Sequence, residues 1–317
     1  MSEGLDVVTI GELLGVISPF DLHAPLESSV LLERSVGGSE VNVALALARL
    51  GNRVGWAGAV GDDPFGRAGV RLLRGEGVDV SRVVVSSSAQ TGVYFKELLP
   101  LSGLRKYPYR DTSAARELEG TDADVAYLLS GRVLHLTGIT AMISSSGETL
   151  VRRLLTEARA SDVHLSFDAN IRQTLMRGRD PATLLRPLAS AADTLFLSTS
   201  ESLLLFATDD PQRLRSLLAT MRVTTIVLHD ARGAQAITKE TIHVVEARSV
   251  VTIDATGAGD AFVAGYLHQL LAGASMDARL ACAEECAAYT VASRGDHAMT
   301  FAPPPPSAAS GDAVDLR

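Results

Sequence analysis

Two short stretches of the chain carry residue types whose spacing suits chemistry. The first is Asp254-Ala255-Thr256-Gly257-Ala258-Gly259-Asp260-Ala261-Phe262. It follows an extended run at 249–253 and opens an apolar helical pattern at 259–272. Small residues at a helix N-terminus leave backbone N–H groups uncovered, and these groups together with the helix dipole make an anion site. Asp260 falls in the first turn, beside that anion. Phosphoryl transfer asks for this pairing: N–H donors for the transferring group and a carboxylate to accept a hydroxyl proton. On this reading Asp260 is the general base, and Gly257, Ala258 and Gly259 supply the donors. The plainer alternative is an acidic side chain that suits the dipole and does nothing more. The second stretch is Gly37-Gly38-Ser39-Glu40-Val41-Asn42-Val43-Ala44. Its glycines let a ligand approach the backbone closely, and Asn42 is a polar residue among apolar ones. Here too a plain structure would serve: a glycine turn, with Ser39 or Glu40 capping the next helix.

Positioning these stretches falls to an alternation of β-branched runs and helical patterns. Residues 6–10, 53–57, 132–136, 164–168, 194–197 and 225–228 read as buried strands. Helical patterns occupy 41–50, 64–76, 147–160, 181–191, 211–221, 259–272 and 276–293. The alternation predicts an α/β fold with a mainly parallel central sheet covered on both faces. Ligands in such folds bind outside the carboxyl ends of the strands. Two segments, about 13–36 and 91–110, lack the period of a crossover helix and predict added strands, a small β lid. The Pro/Ser/Ala/Gly-rich segment 303–317 reads as a disordered tail, which leaves 1–302 as a single domain.

Charge excludes several partners. The chain of 317 residues has 29 basic and 37 acidic side chains, a net charge of −8. Such a chain offers no global field to nucleic acid or to an anionic membrane. No apolar run is long enough to span a bilayer. The acidic start, Met1 to Asp6, does not read as a signal peptide, and the cysteine usage makes a reduced cytoplasm the expected location. Cys282 and Cys286 lie four apart on one helical face and read as small core residues, not as a disulfide framework or zinc site. The lysines are Lys96, Lys106 and Lys239. None follows a glycine-rich loop, so there is no Walker-A lysine. Phosphate chemistry would have to rest on backbone N–H groups and local arginines. A dinucleotide dehydrogenase is not expected, because no G-x-G-x-x-G follows the first strand.

In this order, near the two ends of the chain, the two stretches resemble the paired signatures of the PfkB (ribokinase-like) family of sugar kinases. The resemblance covers residues 7–297 and includes Asp62-Asp63-Pro64-Phe65-Gly66, both lid-like segments and the closing helices. Ala255 stands where the family usually has Pro, Ser, Thr or Val. Within the family, residues 37–50, Thr91-Gly92-Val93-Tyr94, 134–140, 168–175 and 292–297 are most similar to the 2-keto-3-deoxygluconate kinases. The resemblance implies a three-layer ribokinase-like sandwich that uses ATP and Mg²⁺. The implied reaction moves the γ-phosphoryl group to a primary hydroxyl of a sugar acid, 2-keto-3-deoxygluconate. It also implies a homodimer formed through the lid. A kinase for a neutral sugar such as fructose or ribose stays open, as does a non-catalytic sugar- or nucleotide-sensing protein of the same fold.

Residue by residue, the resemblance places Gly38, Asn42, Tyr94, Tyr109, Arg110, Arg172, Asp260 and Asp296 at the sugar. A carboxylate pairs best with a forked guanidinium. Arg172 follows the strand at 164–168, on the edge where ligands bind, and Arg110 ends the second lid segment. The nucleotide falls to Asn170, Ser198, His229, Arg232 and Gly233, together with Gly257 and Gly259. Asp168 and Asn170, alternate polar residues at one strand end, can orient Arg172 or a metal-bound water, or form a turn and cap. Glu201, in Ser198-Thr199-Ser200-Glu201, would hold Mg²⁺ through water, and the same four residues fit a capping box. In His229-Asp230-Ala231-Arg232-Gly233 the loop is one residue shorter than the family's. His229 replaces the usual lysine, and Arg232 offsets Asp230. Pro108, between Tyr107 and Tyr109, stands where the sugar-acid kinases carry an aromatic residue. Glu12 after Gly11 is like those same kinases. His135 reads as a core histidine.

Overall fold

The computed structural model describes residues 4–101 and 103–297. Among them, nine strands form the main sheet. Their order from edge to edge is Ile242–Glu246, Gly233–Ile237, Thr225–Asp230, Thr194–Ser198, His164–Asp168, Val133–Thr137, Val7–Ile10, Val54–Gly61 and Val83–Ser86. From Thr225–Asp230 onward every neighbouring pair is parallel. The first two strands are an antiparallel hairpin added at one edge. The interior strands are apolar on both faces, as a sheet covered on both sides requires. Val8, Ile10, Leu134, Leu136, Leu165 and Phe167 face one core. Val7, Val133, Phe196 and Val227 face the other, shared with residues of the helices Ser39–Arg49, Ala258–Leu271 and Met276–Val291.

The lid is a separate four-stranded sheet, in the order Leu32–Gly37, Leu14–Pro19, Gly92–Leu99, Gly103–Tyr109. Its central pair is parallel and its outer pairs are antiparallel. Both sequence segments that lacked helical period therefore become strands of one sheet.

The structure corrects the reading at several points. The expected extended run at 249–253 is not a strand, because the sheet ends at Ile242–Glu246. It ends instead with the Ile253 and Asp254 N–H groups donating to the Val291 carbonyl at 2.9 and 3.1 Å. Strand Val54–Gly61 runs on past Ala57. The hairpin Gly233–Ile237 with Ile242–Glu246, and the edge strand Val83–Ser86, are additions. Segment 303–317 lies outside the described residues. Cys282 and Cys286 are unbridged, and Cys286 is buried. His135 is fully buried and bonded to the Ser166 hydroxyl at 2.9 Å. Burial lowers its pKa to about 3. Among the described residues no helix is long and apolar enough to cross a membrane.

One buried acid on helix Ser39–Arg49 supports the site from below. Glu40 has no solvent exposure. Its Oε1 accepts from the hydroxyls of Thr137 and Thr140 at 2.5 and 3.2 Å, and its Oε2 has no partner among the described residues. Burial pushes its pKa up to about 7 from an ordinary value of 4.5. The folded chain thus keeps this proton up to about pH 7, whereas the unfolded chain loses it near pH 4.5. Between those values the folded state binds the extra proton, so stability falls as pH rises and levels off above pH 7. The loss is on the order of 3 kcal/mol. Glu40→Gln removes this titration. Urea unfolding at pH 5 and pH 8 should show the wild type losing more stability than Glu40→Gln across that interval. Equal losses would show that Glu40 is ionised in the folded state.

Candidate active site

The turn at residues 254–259 is built by a left-handed glycine. Gly257 has φ +79° and precedes helix Ala258–Leu271. A Cβ there would strike the Asp296 carbonyl, so only glycine lets the 294–297 loop lie against the turn. The N–H groups of Gly257, Gly259 and Asp260 meet no backbone acceptor among the described residues, and Ala258 N–H reaches only the Ala255 carbonyl at 3.4 Å. The helix end therefore offers an array of donors, as helix N-termini do.

Asp260 is buried in the first turn of that helix. The Ser39 hydroxyl donates to its Oδ1 at 2.6 Å and Asn42 Nδ2 donates to its Oδ2 at 2.7 Å. Both donors come from the second motif. Gly38, with φ +124°, brings that helix start close to the Glu12 carbonyl, where a Cβ would collide. Asn170 Nδ2 extends the chain by donating to Ser39 Oγ at 2.9 Å and to Asp168 Oδ2 at 2.8 Å. Burial raises the Asp260 pKa, against the opposing pull of Ser39, Asn42, Arg172 and Lys106. A carboxylate made more basic and held by two hydrogen bonds suits proton acceptance.

Two cavities meet at the turn. One, of about 230 Å³, is lined by Gly38, Asn42, Tyr94, Lys106, Arg172 and Asp260, among others. The other, of about 430 Å³, is lined by His229, Ala255, Ala258, Gly259, Phe262 and Glu284, among others. Thr256 and Gly257 face the first cavity, and Ala258 and Gly259 the second. The donors and Asp260 therefore stand between a small polar chamber under the lid and a larger, more apolar one.

The residues expected at the sugar distribute unevenly. Gly38, Asn42, Tyr94, Arg110, Arg172, Asp260 and Asp296 line the first cavity. Tyr109 does not. It alternates with Pro108 and Arg110 along its strand, so its ring turns to the opposite face, 68% exposed and edge-on to Phe95 at 5.5 Å. Arg110 lines the cavity but is ion-paired with buried Glu12. Arg172 makes no hydrogen bond or ion pair among the described residues. The sequence reading overlooked Lys106, which also lines this cavity and lies over the Tyr94 ring, 5.4 Å from its centre. The period of two along Lys106-Tyr107-Pro108-Tyr109-Arg110 was the available signal, because it puts Lys106 on the side of Arg110.

On the other side, His229 stacks on Phe262, with ring centres 4.9 Å apart. Burial lowers its pKa, so it does not replace the charge of a lysine. Arg232 is 85% exposed and pairs with Asp230 at 2.8 Å, so the two cancel. They line a neighbouring hollow with Gly233. Asn170 is drawn into the Asp260 network. Ser198 and Glu201 form a capping box, and Glu201 also accepts from the Ile171 N–H at 2.6 Å. Glu284 was not anticipated. It lines the larger cavity, and burial pushes its pKa up to about 7.

Mg²⁺ can be weighed against these acids. Burial and then the Glu201 and Asp260 carboxylates raise the Asp168 pKa well above its ordinary value. Like charges crowded at a strand end suit a cation, and magnesium keeps most of its waters. Among the described residues no cluster of three or more potential ligands exists. The proximity of Asp168 to the Glu201 and Asp260 carboxylates is the feature that suits a cation held through water.

A model of the pfkB family of carbohydrate kinases matches residues 5–301. A 2-dehydro-3-deoxygluconokinase of Thermoproteus tenax is 34% identical, over 92% of this chain and 90% of its own length. A 5-dehydro-2-deoxygluconokinase of Geobacillus kaustophilus is 30% identical, over 84% and 82%. The crystal structure of a sugar kinase from Pyrococcus horikoshii in complex with ATP has a TM-score of 0.76 at 25% identity, covering 92% of this chain and 93% of its own.

The turn can be tested directly. Gly257→Ala meets both a positive φ and the Asp296 carbonyl, whereas Gly273→Ala meets a positive φ (+70°) in open space. The conformational cost is about 1–2 kcal/mol in each case. Thermal unfolding should show Gly257→Ala as clearly the less stable variant. Equal losses would show that the loop does not press on the turn.

Proposed function

The chain belongs to the pfkB family of carbohydrate kinases, and from that premise we propose that it is an ATP-dependent kinase for a sugar acid, 2-keto-3-deoxygluconate. One observation carries the choice of acid over neutral sugar. The cavity beside Asp260 presents two cations, Arg172 and Lys106, that no carboxylate of the described residues neutralises by an ion pair. A neutral hydroxylated ligand would leave them only the longer-range attraction of Asp260 and Asp296, whereas a ligand carboxylate pairs with both.

In the proposed mechanism the sugar acid lies under the lid with its carboxylate toward Arg172 and Lys106. Its primary hydroxyl faces Asp260, which accepts the proton as the oxygen attacks the γ-phosphorus. Ser39 and Asn42 keep the carboxylate aimed. The N–H groups of Gly257, Ala258 and Gly259 hold charge on the phosphoryl oxygens in flight. The nucleotide occupies the larger cavity, with its apolar part against Phe262 and the alanines. Glu201 and Asp168 would hold Mg²⁺ through water, and the ion would supply charge neutralisation for the nucleotide phosphates. Arg110 plays a different part from Arg172. Its charge is answered by Glu12, so it orients hydroxyl or keto oxygens and adds little net attraction.

The lid supports a homodimer. Leu32, Leu104, Tyr107 and Tyr109 are exposed on it, and edge strands gain by pairing. Light scattering should return about twice the chain mass; a monomer at micromolar concentration would overturn this part.

A coupled ADP-release assay tests the substrate. 2-Keto-3-deoxygluconate should give the highest kcat/KM, with 5-keto-2-deoxygluconate next and gluconate, fructose and ribose far lower. A neutral sugar at the top would overturn the acid reading. Arg172→Met and Lys106→Met should each raise KM for the keto acid about tenfold or more, with little effect on a neutral sugar. Arg110→Met should affect both classes alike. Asp260→Asn should lower kcat by at least about 10³-fold while nucleotide binding by calorimetry persists. Retained turnover would remove Asp260 from the role of base.

A further inference from the structure

Lys96 lies on lid strand Gly92–Leu99 and is 5% exposed. Its ammonium sits 2.7 Å from Asp254 Oδ2 and 2.6 Å from Asp296 Oδ1. Both carboxylates are nearly buried, and each does a second job. The other oxygen of Asp254 accepts from the Thr256 N–H at 2.9 Å, which shapes the entry to the turn. The other oxygen of Asp296 accepts from the Tyr94 hydroxyl, and its backbone carbonyl lies against Gly257. One ammonium therefore joins the lid to both flanks of the anion-binding turn.

We propose that Lys96 is a positioning residue for phosphoryl transfer, tying the lid strand to Asp254 and Asp296 and so holding residues 254–257 in the shape that presents the N–H groups of Gly257, Ala258 and Gly259. Burial alone would favour the uncharged amine, but the Asp296 and Asp254 carboxylates outweigh it and keep the Lys96 pKa raised. Without this cation the two buried carboxylates repel each other, and neither can reach water. The turn then loses its fixed flanks. Because Tyr94 on the same strand lines the sugar cavity, lid position and turn shape share one group. The role acts on the transfer step, so it lowers kcat more than it weakens sugar binding.

The test rests on the kinase reading, and its wild-type arm separates the two. A wild type with no ADP release on any sugar of the panel overturns the kinase reading itself. With an active wild type, Lys96→Met should lower kcat at least 100-fold while the sugar KM changes less than threefold. Lys96→Ala should regain at least tenfold in kcat on addition of methylammonium or ethylammonium, saturably. Tetramethylammonium at the same ionic strength, which has no N–H to donate, should not restore it. A folded Lys96→Met with kcat within threefold of wild type overturns the proposal, as does a rescue that all three amines share or none provides. If Lys96→Met does not fold, the double variant Lys96→Met/Asp254→Asn keeps the same net buried charge. Its kcat should be equally reduced, and a wild-type kcat from it overturns the latch.

Discussion

A carboxylate that must stay basic beside an incoming polyanion is the constraint on which the site depends. Asp260 stands in the first turn of a helix whose N-terminus attracts negative charge, so it competes with any phosphate for the same field. The structure separates the two by giving each its own donors. The side chains of Ser39 and Asn42 take both oxygens of Asp260, which leaves the backbone N–H groups of the turn to another ligand. That division explains why two motifs far apart in sequence must meet. Helix Ser39–Arg49 and helix Ala258–Leu271 pack side by side over the same face of the sheet, and each glycine motif brings its helix start to the same point.

The same logic governs the charge of the whole. A chain with net charge −8 still places cations beside the donor-bearing turn. Sequence reasoning assigned this work to backbone N–H groups and arginines, because lysines are scarce and none follows a glycine-rich loop. The structure shows that scarcity is not absence from the site. Lys96 and Lys106 both belong to the lid, one buried among the carboxylates beside the turn and one lining the cavity next to Asp260. Their strands run antiparallel with Lys96 opposite Lys106, so a single rung of the lid supplies one cation to the flanks of the turn and one to the cavity next to Asp260.

The legible part of the molecule was the part set by local pattern. Alternating β-branched and helical stretches gave the parallel sheet, and two segments without helical period became the lid. Glycine placement located the turn, since Gly38 and Gly257 both take conformations closed to other residues. The hairpin at Gly233–Ile237 was not legible, because an alanine- and glycine-containing strand with few β-branched residues gives no β signal, and only pairing with Thr225–Asp230 makes it a strand. Residues 249–253 erred the other way, being β-branched but lacking a free sheet edge beside them. Side-chain partnerships were illegible for a different reason: Lys96, Asp254 and Asp296 are separated by up to 200 positions.

Arg110 and Arg172 show what such partnerships decide. In sequence they are equivalent, two guanidinium groups at the mouth of one site. In the structure Glu12 cancels the first and nothing among the described residues pairs with the second. A cation whose charge is already answered can still direct hydrogen bonds, but it adds little to the attraction of an anion, because the net field at a distance is that of the pair. On the proposed function, discrimination between a sugar acid and a sugar turns on Arg172 and Lys106, which approach the cavity from the main sheet and from the lid respectively. A ligand carboxylate between them would draw the two parts of the molecule together. A neutral sugar would leave two like charges facing one another, which favours a lid held apart. On the proposed function, charge selection and lid position are thus one property of this cavity, and Arg110, already paired with Glu12, has little share in it.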